Sequence, residues 1–83
     1  MIEVVIYSRP GCHLCDEAKA VLLSAQRSEP FALREVNLDE DAAARAAYAE
    51  EIPVIFVAGR KAFKHRVEER DLVARLRRAR QAG

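Results

Sequence analysis

An α/β domain of order β-α-β-α-β-β-α, with four strands in one mixed sheet and three helices, follows from three features of the sequence. Two short runs, Ile2-Glu3-Val4-Val5-Ile6-Tyr7 and Val54-Ile55-Phe56-Val57, are apolar at nearly every position and rich in β-branched residues, the composition of strands buried on both faces. Three stretches carry apolar residues at helical spacing or an Ala-rich run behind an acidic start. Strands and helices alternate up to Gly59, which implies right-handed parallel crossovers, and a hairpin and a closing helix follow.

The first strand ends at Arg9-Pro10-Gly11. From Leu14 the apolar positions Leu14, Ala18, Val21, Leu22 and Ala25 trace one face of a helix, and Pro30 lies beyond its end. Phe31 to Leu38 reads as a second strand of weaker alternation. Asp39 is then placed to cap an Ala-rich helix reaching about Glu50. Ile52-Pro53 stops that helix, because a residue before Pro is pushed toward extended geometry, and Pro53 opens the third strand. Gly59 and Arg60 turn the chain into Lys61 to Val67, a polar edge strand whose lysines discourage pairing between sheets. A last helix, about Glu68 to Arg80, presents Leu72, Val73, Leu76 and Ala79 on one face.

At 83 residues the chain is expected to form a single domain spanning 1–83, one that buries about 60 to 65% of its unfolded surface. With 51% hydrophobic and 33% charged residues, the composition is globular and not disordered. No apolar run approaches the roughly 18 residues of a membrane helix, and the N-terminal MIEVVIYSRP has neither a basic leader nor a small-residue cleavage site. The expected location is therefore the cytoplasm, without membrane contact. Thiols stay reduced there, so a close Cys pair points to catalysis or metal binding before it points to a structural staple. The net charge of +1 hides an asymmetry: residues 1–59 sum to −5 and residues 60–83 to +6.

Both cysteines lie in the stretch SRPGCHLCDEAK, at positions 12 and 15. Cys12 falls at the N-cap or first turn of the first helix, where unpaired N–H groups and the helix dipole attract an anion. The helix end contributes about 0.3 to 2 kcal/mol of preference for the thiolate. That is enough to matter, because a free thiol is only a few per cent ionised at neutral pH. Cys15 shares its face with Ala18 and Leu22 and should point inward. It is close enough to attack a mixed disulfide formed on Cys12, which is thiol-disulfide exchange with an attacking and a resolving thiol. Three other readings compete: two small buried hydrophobes, a zinc site completed by His13 and His65, and a metal or iron-sulfur cluster shared between two chains.

A CxxC opening a helix after a β-strand, followed some forty residues later by a Pro that opens the next buried strand, resembles the thioredoxin fold. Within that fold the chain is similar to small dithiol glutaredoxins through YSRPGCHLC, Val36-Asn37-Leu38-Asp39 and Ile52-Pro53-Val54-Ile55-Phe56-Val57. The resemblance implies a thiol-disulfide oxidoreductase acting on protein or glutathione mixed disulfides, with Cys12 as nucleophile and Cys15 as resolving thiol. It implies a cis peptide bond before Pro53, with the Ile52 backbone pairing with an extended substrate. It implies no cofactor beyond the redox-active Cys12–Cys15 disulfide and no resident metal. Glutathione is the candidate co-substrate, glutathione or a thioredoxin-type reductase the electron donor, and the protein a monomer.

The sequence departs from that pattern twice. His13-Leu14 replaces the usual Pro-Tyr inside the motif; a cationic His13 would stabilise the thiolate, whereas Asp16 and Glu17 in the same turn oppose it. Phe63-Lys64-His65-Arg66-Val67-Glu68-Glu69 replaces the Gly-Gly turn whose bare backbone cradles glutathione. Glutathione then either binds poorly or is held at its carboxylates by Lys64 or Arg66.

Among the other charged residues, Arg9 is a candidate to lower the pKa of Cys12 or to meet a substrate carboxylate. Lys19 reads as a solvated surface residue and Tyr7 as a packed residue at the edge of the core. Arg75, Arg77, Arg78 and Arg80 complement the dipole at a helix C-terminus. No aromatic residue accompanies them to stack on bases, so nucleic acid is not the expected partner.

Overall fold

The structure, a computed structural model, describes residues 1–82. Its elements are β1 (Glu3–Ser8), α1 (His13–Ser28), β2 (Ala32–Asn37), a 3-10 turn (Leu38–Glu40), α2 (Ala42–Tyr48), β3 (Val54–Val57), β4 (Arg60–Lys64) and α3 (Glu69–Ala82). The sheet order is β2-β1-β3-β4, with β1 parallel to β2, β3 antiparallel to β1, and β4 antiparallel to β3. The expected element order and mixed sheet are therefore present.

Alternation of the strand residues divides the core. Val4, Ile6, Ile55 and Val57 face α1 and α3, where they meet Ala18, Leu22, Ala25, Phe31, Leu72 and Leu76, all at most 3% exposed. Val5 and Val54 are buried on the other face, where Tyr7 and Phe56 pack with Tyr48 of α2. Coverage of both faces explains why β1 and β3 read as continuous apolar runs. No helix of the described residues is long and apolar enough to cross a membrane.

Four expectations need correction. Only the first crossover is parallel. β2 ends and β3 begins at the same end of the sheet, because Tyr7 pairs with Val54 while Ser8 pairs with Asn37. The six residues of β2 span about 20 Å. The connection between β2 and β3 holds the 3-10 turn and the seven residues of α2, which span about 10 Å, and the chain enters β3 without having crossed back along the sheet.

Asp39 does not cap the second helix. Asn37 caps the 3-10 turn by accepting from Asp39 N–H at 2.9 Å, and Asp41 caps α2 by accepting from Ala44 N–H at 2.9 Å. The Asp39 carboxylate turns instead to Arg9. The fourth strand stops at Lys64, short of Val67, because His65 adopts φ 67° and its N–H turns to the carbonyls of Pro53 and Glu51. The second strand is one residue shorter at each end than expected, with Phe31 and Leu38 acting as buried anchors outside it.

The hairpin turn falls where Gly59 marks it. Ala58 and Gly59 both have positive φ, 52° and 81°, as a two-residue turn of matching twist requires.

Candidate functional site

The loop between β1 and α1 is a turn before it is a helix cap. Pro10 supplies the fixed φ of a second turn position, Gly11 takes φ 79° at the third, and Cys12 N–H donates back to the Arg9 carbonyl at 3.3 Å. This turn presents Cys12 in extended geometry, φ −88° and ψ 109°, as the N-cap of α1. Its Sγ accepts the backbone N–H of Cys15 at 3.1 Å, and its carbonyl accepts from Asp16 N–H at 3.1 Å. The sulfur therefore stands where a Ser or Asp oxygen caps other helices, at the positive end of sixteen residues of aligned dipoles.

Cys15 lies one turn deeper and has no solvent exposure, whereas Cys12 is half-buried. The two sulfurs are paired as a disulfide across a Cα–Cα distance of 5.2 Å. One sulfur is reachable and held by an N–H donor; the other waits beneath it.

The remaining predicted residues divide into those beside the pair and those occupied elsewhere. The Ile52–Pro53 bond is cis. The register of Tyr7 with Val54 sets Pro53 at the end of the sheet from which Ser8 runs into the Cys loop. Pro53 is buried and its carbonyl accepts from His65 N–H at 2.8 Å. Among the described residues, no hydrogen bond uses the peptide N–H or carbonyl of half-buried Ile52.

Arg66 lines a cleft of about 160 Å³ together with Leu14, Glu17, His65 and Val67, so the β4–α3 segment faces the first turn of α1. Lys64 ends β4 opposite Val54, exposed and outside that cleft.

Arg9 donates through Nε and a terminal nitrogen to one Asp39 oxygen, at 3.3 and 3.0 Å, so its charge is matched within the fold. The side chain of His13 is 91% exposed, with its ring 3.7 Å from Glu17. Tyr7 sits in the aromatic cluster, its ring centroid 5.0 Å from that of Tyr48. No group of three or more His, Cys, Asp or Glu among the described residues is arranged to hold a metal ion.

Sequence reading missed one network. Ser8, 2% exposed at the end of β1, donates to Glu35 of β2 at 3.0 Å, and the same carboxylate oxygen pairs with Lys19 of α1. Lys19 is therefore an ion-pair partner and not a free surface cation. The Lys19 ammonium, helped by the Ser8 hydroxyl and opposed by partial burial, lowers the pKa of Glu35. Ser8 carried a usable signal: it continues the inward alternation of Val4 and Ile6, and a buried hydroxyl requires a partner.

Similarities to known proteins agree with this geometry. Residues 3–77 match the model of the family described as Glutaredoxin-like domain (DUF836). A Dictyostelium discoideum protein described as a glutaredoxin-like YDR286C homolog is 27% identical over 74 residues, covering 82% of this chain and 68% of its own. The X-ray structure of protein XcR50 from X. campestris is 33% identical and superposes with a TM-score of 0.76, covering 90% of this chain and 96% of its own. Thioredoxin-2 of the malaria parasite, at 20% identity, superposes with a TM-score of 0.75 over 94% of this chain and 82% of its own. That last likeness speaks to architecture alone, and the architecture is the thioredoxin fold.

Proposed function

The chain belongs to the glutaredoxin-like domain family, and from that membership we propose a cytoplasmic thiol-disulfide oxidoreductase that reduces protein or glutathione mixed disulfides through Cys12 and Cys15. The observation that carries this reading is the Cys12 sulfur as helix N-cap, receiving the Cys15 N–H at 3.1 Å with the second sulfur buried behind it.

The exchange runs in two displacements. The Cys12 thiolate attacks one sulfur of the substrate disulfide, forming a Cys12–substrate disulfide and expelling the other sulfur as a thiolate that takes up a proton. Cys15 then gives up its proton, and its sulfur attacks the Cys12 sulfur. The remaining substrate sulfur leaves as a thiol, and the Cys12–Cys15 bond closes. Two electrons pass from the dithiol to the substrate. Two equivalents of glutathione, or a thioredoxin-type reductase, restore the dithiol.

The unused peptide groups of Ile52 offer an extended substrate a short strand-like pairing at the end of the sheet where the Cys loop begins. Arg66, on a cleft it shares with Glu17, His65 and Glu68, offers a cation to a substrate carboxylate without a Gly-Gly cradle.

Replacing Cys12 by Ser is expected to abolish reduction of a small-molecule disulfide. Replacing Cys15 by Ser is expected to leave a mixed disulfide trapped on Cys12, visible by mass spectrometry. Equal tolerance of both changes would refute the roles. Comparing the rates at which glutathione and a thioredoxin reductase reduce the oxidised protein identifies the donor. Stoichiometric zinc or iron in protein purified without chelator, with no reducible disulfide, would instead favour a metal-binding module.

A further inference from the structure

A second charged cavity lies at the opposite end of the strands from the sulfurs. Val57 pairs with Val4 at the start of β1, whereas Val54 pairs with Tyr7 beside the Cys loop. Three strand steps, about 10 Å, separate the two positions. Next to Val57 a cavity of about 590 Å³ is walled by Arg60, Arg75 and Arg78. Its floor is Ala58, Ala79 and Ala82, with buried Val57 behind them.

The faces of α3 explain how these arginines come together. Leu72 and Leu76 enter the core, with no exposure. Arg77 and Arg80 both reach Glu29 at the end of α1, and Arg80 also donates to the Pro30 carbonyl at 3.0 Å. Two sides of the helix are thus committed. Arg75 and Arg78, one turn apart, project from a third side, where Arg60 meets them from the β3–β4 hairpin.

Arg9, Lys19, Arg34, Lys61, Arg77 and Arg80 each have a carboxylate partner. Among the described residues Arg60, Arg75 and Arg78 have none, although Arg75 is half-buried, and no acidic side chain lines the cavity. Of the unpaired cations, these three share one concavity.

We propose that this cavity binds an organic polyphosphate of nucleotide size, its phosphates held by Arg60, Arg75 and Arg78 and its body laid on the floor of Ala58, Ala79 and Ala82. Guanidinium forks match phosphate oxygens bidentately. The volume falls within the range of small-molecule sites, and a floor of short apolar chains leaves room for a flat group. A concavity suits a compact ligand better than a bilayer or a duplex, and no aromatic side chain lines it to stack the bases of a single strand.

The test is titration of the full chain with ADP and, separately, with inorganic pyrophosphate, followed by amide chemical shifts at about 0.15 M ionic strength, where weak surface attraction is screened. Saturable shifts confined to residues 57–60 and 75–82, with ADP tighter than pyrophosphate, are expected. The double variant Arg75→Gln, Arg78→Gln should weaken ADP binding by about tenfold or more, the loss of at least one charge-assisted hydrogen bond. Its amide shifts away from residues 57–60 and α3, and its Cys12 alkylation rate, should be unchanged, which separates this site from the dithiol. No saturation at millimolar ADP, equal affinity in the double variant, or pyrophosphate binding as tightly as ADP would overturn the proposal. Tighter binding of a short single-stranded oligonucleotide than of ADP would overturn it in favour of nucleic acid.

Discussion

Gly11 holds the loop in a conformation that the neighbouring residues cannot supply. Its φ of 79° lies in the left-handed region, and a Cβ added there would meet nothing within 4 Å. The cost of replacing it is therefore conformational and not steric. Gly11→Ala should destabilise the chain by about 1 to 2 kcal/mol in a denaturant titration. The same change should slow Cys12 alkylation, since the turn is what sets that sulfur over the Cys15 N–H. Both cysteines were legible in the sequence because their placement depends on helix period, a local property. Arg9 and Lys19 were not. Their partners, Asp39 and Glu35, are brought to them by the packing of β2 and its following turn beside β1, and no local spacing announces an ion pair formed across 30 or 16 positions. The structure gives Arg9 a partner within the fold: its guanidinium fastens the Cys loop to the 3-10 turn.

The short helix α2 shows why boundaries were harder to read than elements. Asn37, Asp39 and Asp41 alternate before it, and all three are good capping residues, so composition alone does not choose among them. The structure gives the 3-10 turn to Asn37 and α2 to Asp41, leaving Asp39 for the ion pair. Asp41→Ala should therefore cost about 1 kcal/mol, the usual value of an N-cap. Asp39→Ala removes an exposed ion pair and should cost about 0.2 to 1 kcal/mol, and less at high salt. Equilibrium denaturation of the two variants at low and high salt checks both the order and the salt dependence. β1 and β3 matched expectation closely because two-sided burial leaves an unmistakable apolar run. β4 did not, because the left-handed turn at His65 is taken by a residue that adopts that conformation more often than most but far less often than Gly.

Across the whole molecule, three carboxylates each tie one element to another. Glu29 at the end of α1 holds Arg80 and Arg77 of α3, Glu35 of β2 holds Lys19 of α1, and Glu51 after α2 holds Lys61 of β4. Hydrogen bonds to Arg80, Lys19 and Lys61 are the largest causes lowering the respective pKa values, with burial opposing each. A carboxylate whose folded pKa lies below its unfolded value adds stability above the unfolded value, and that stability is lost as pH falls through the folded one. The contribution of these three carboxylates to thermal stability should thus be constant near neutrality and decline in the acid range. Glu29→Gln should make that decline shallower, which melting curves across a pH series would show. These pairs are exposed enough that the stabilisation should shrink with salt. The aromatic cluster has a practical consequence of its own. The chain contains no Trp, so its ultraviolet emission comes from Tyr7 and Tyr48, which touch across the face between β1 and α2. Any event that parts that face will alter the emission, and the protein therefore carries its own fluorescent gauge of whether α2 is seated.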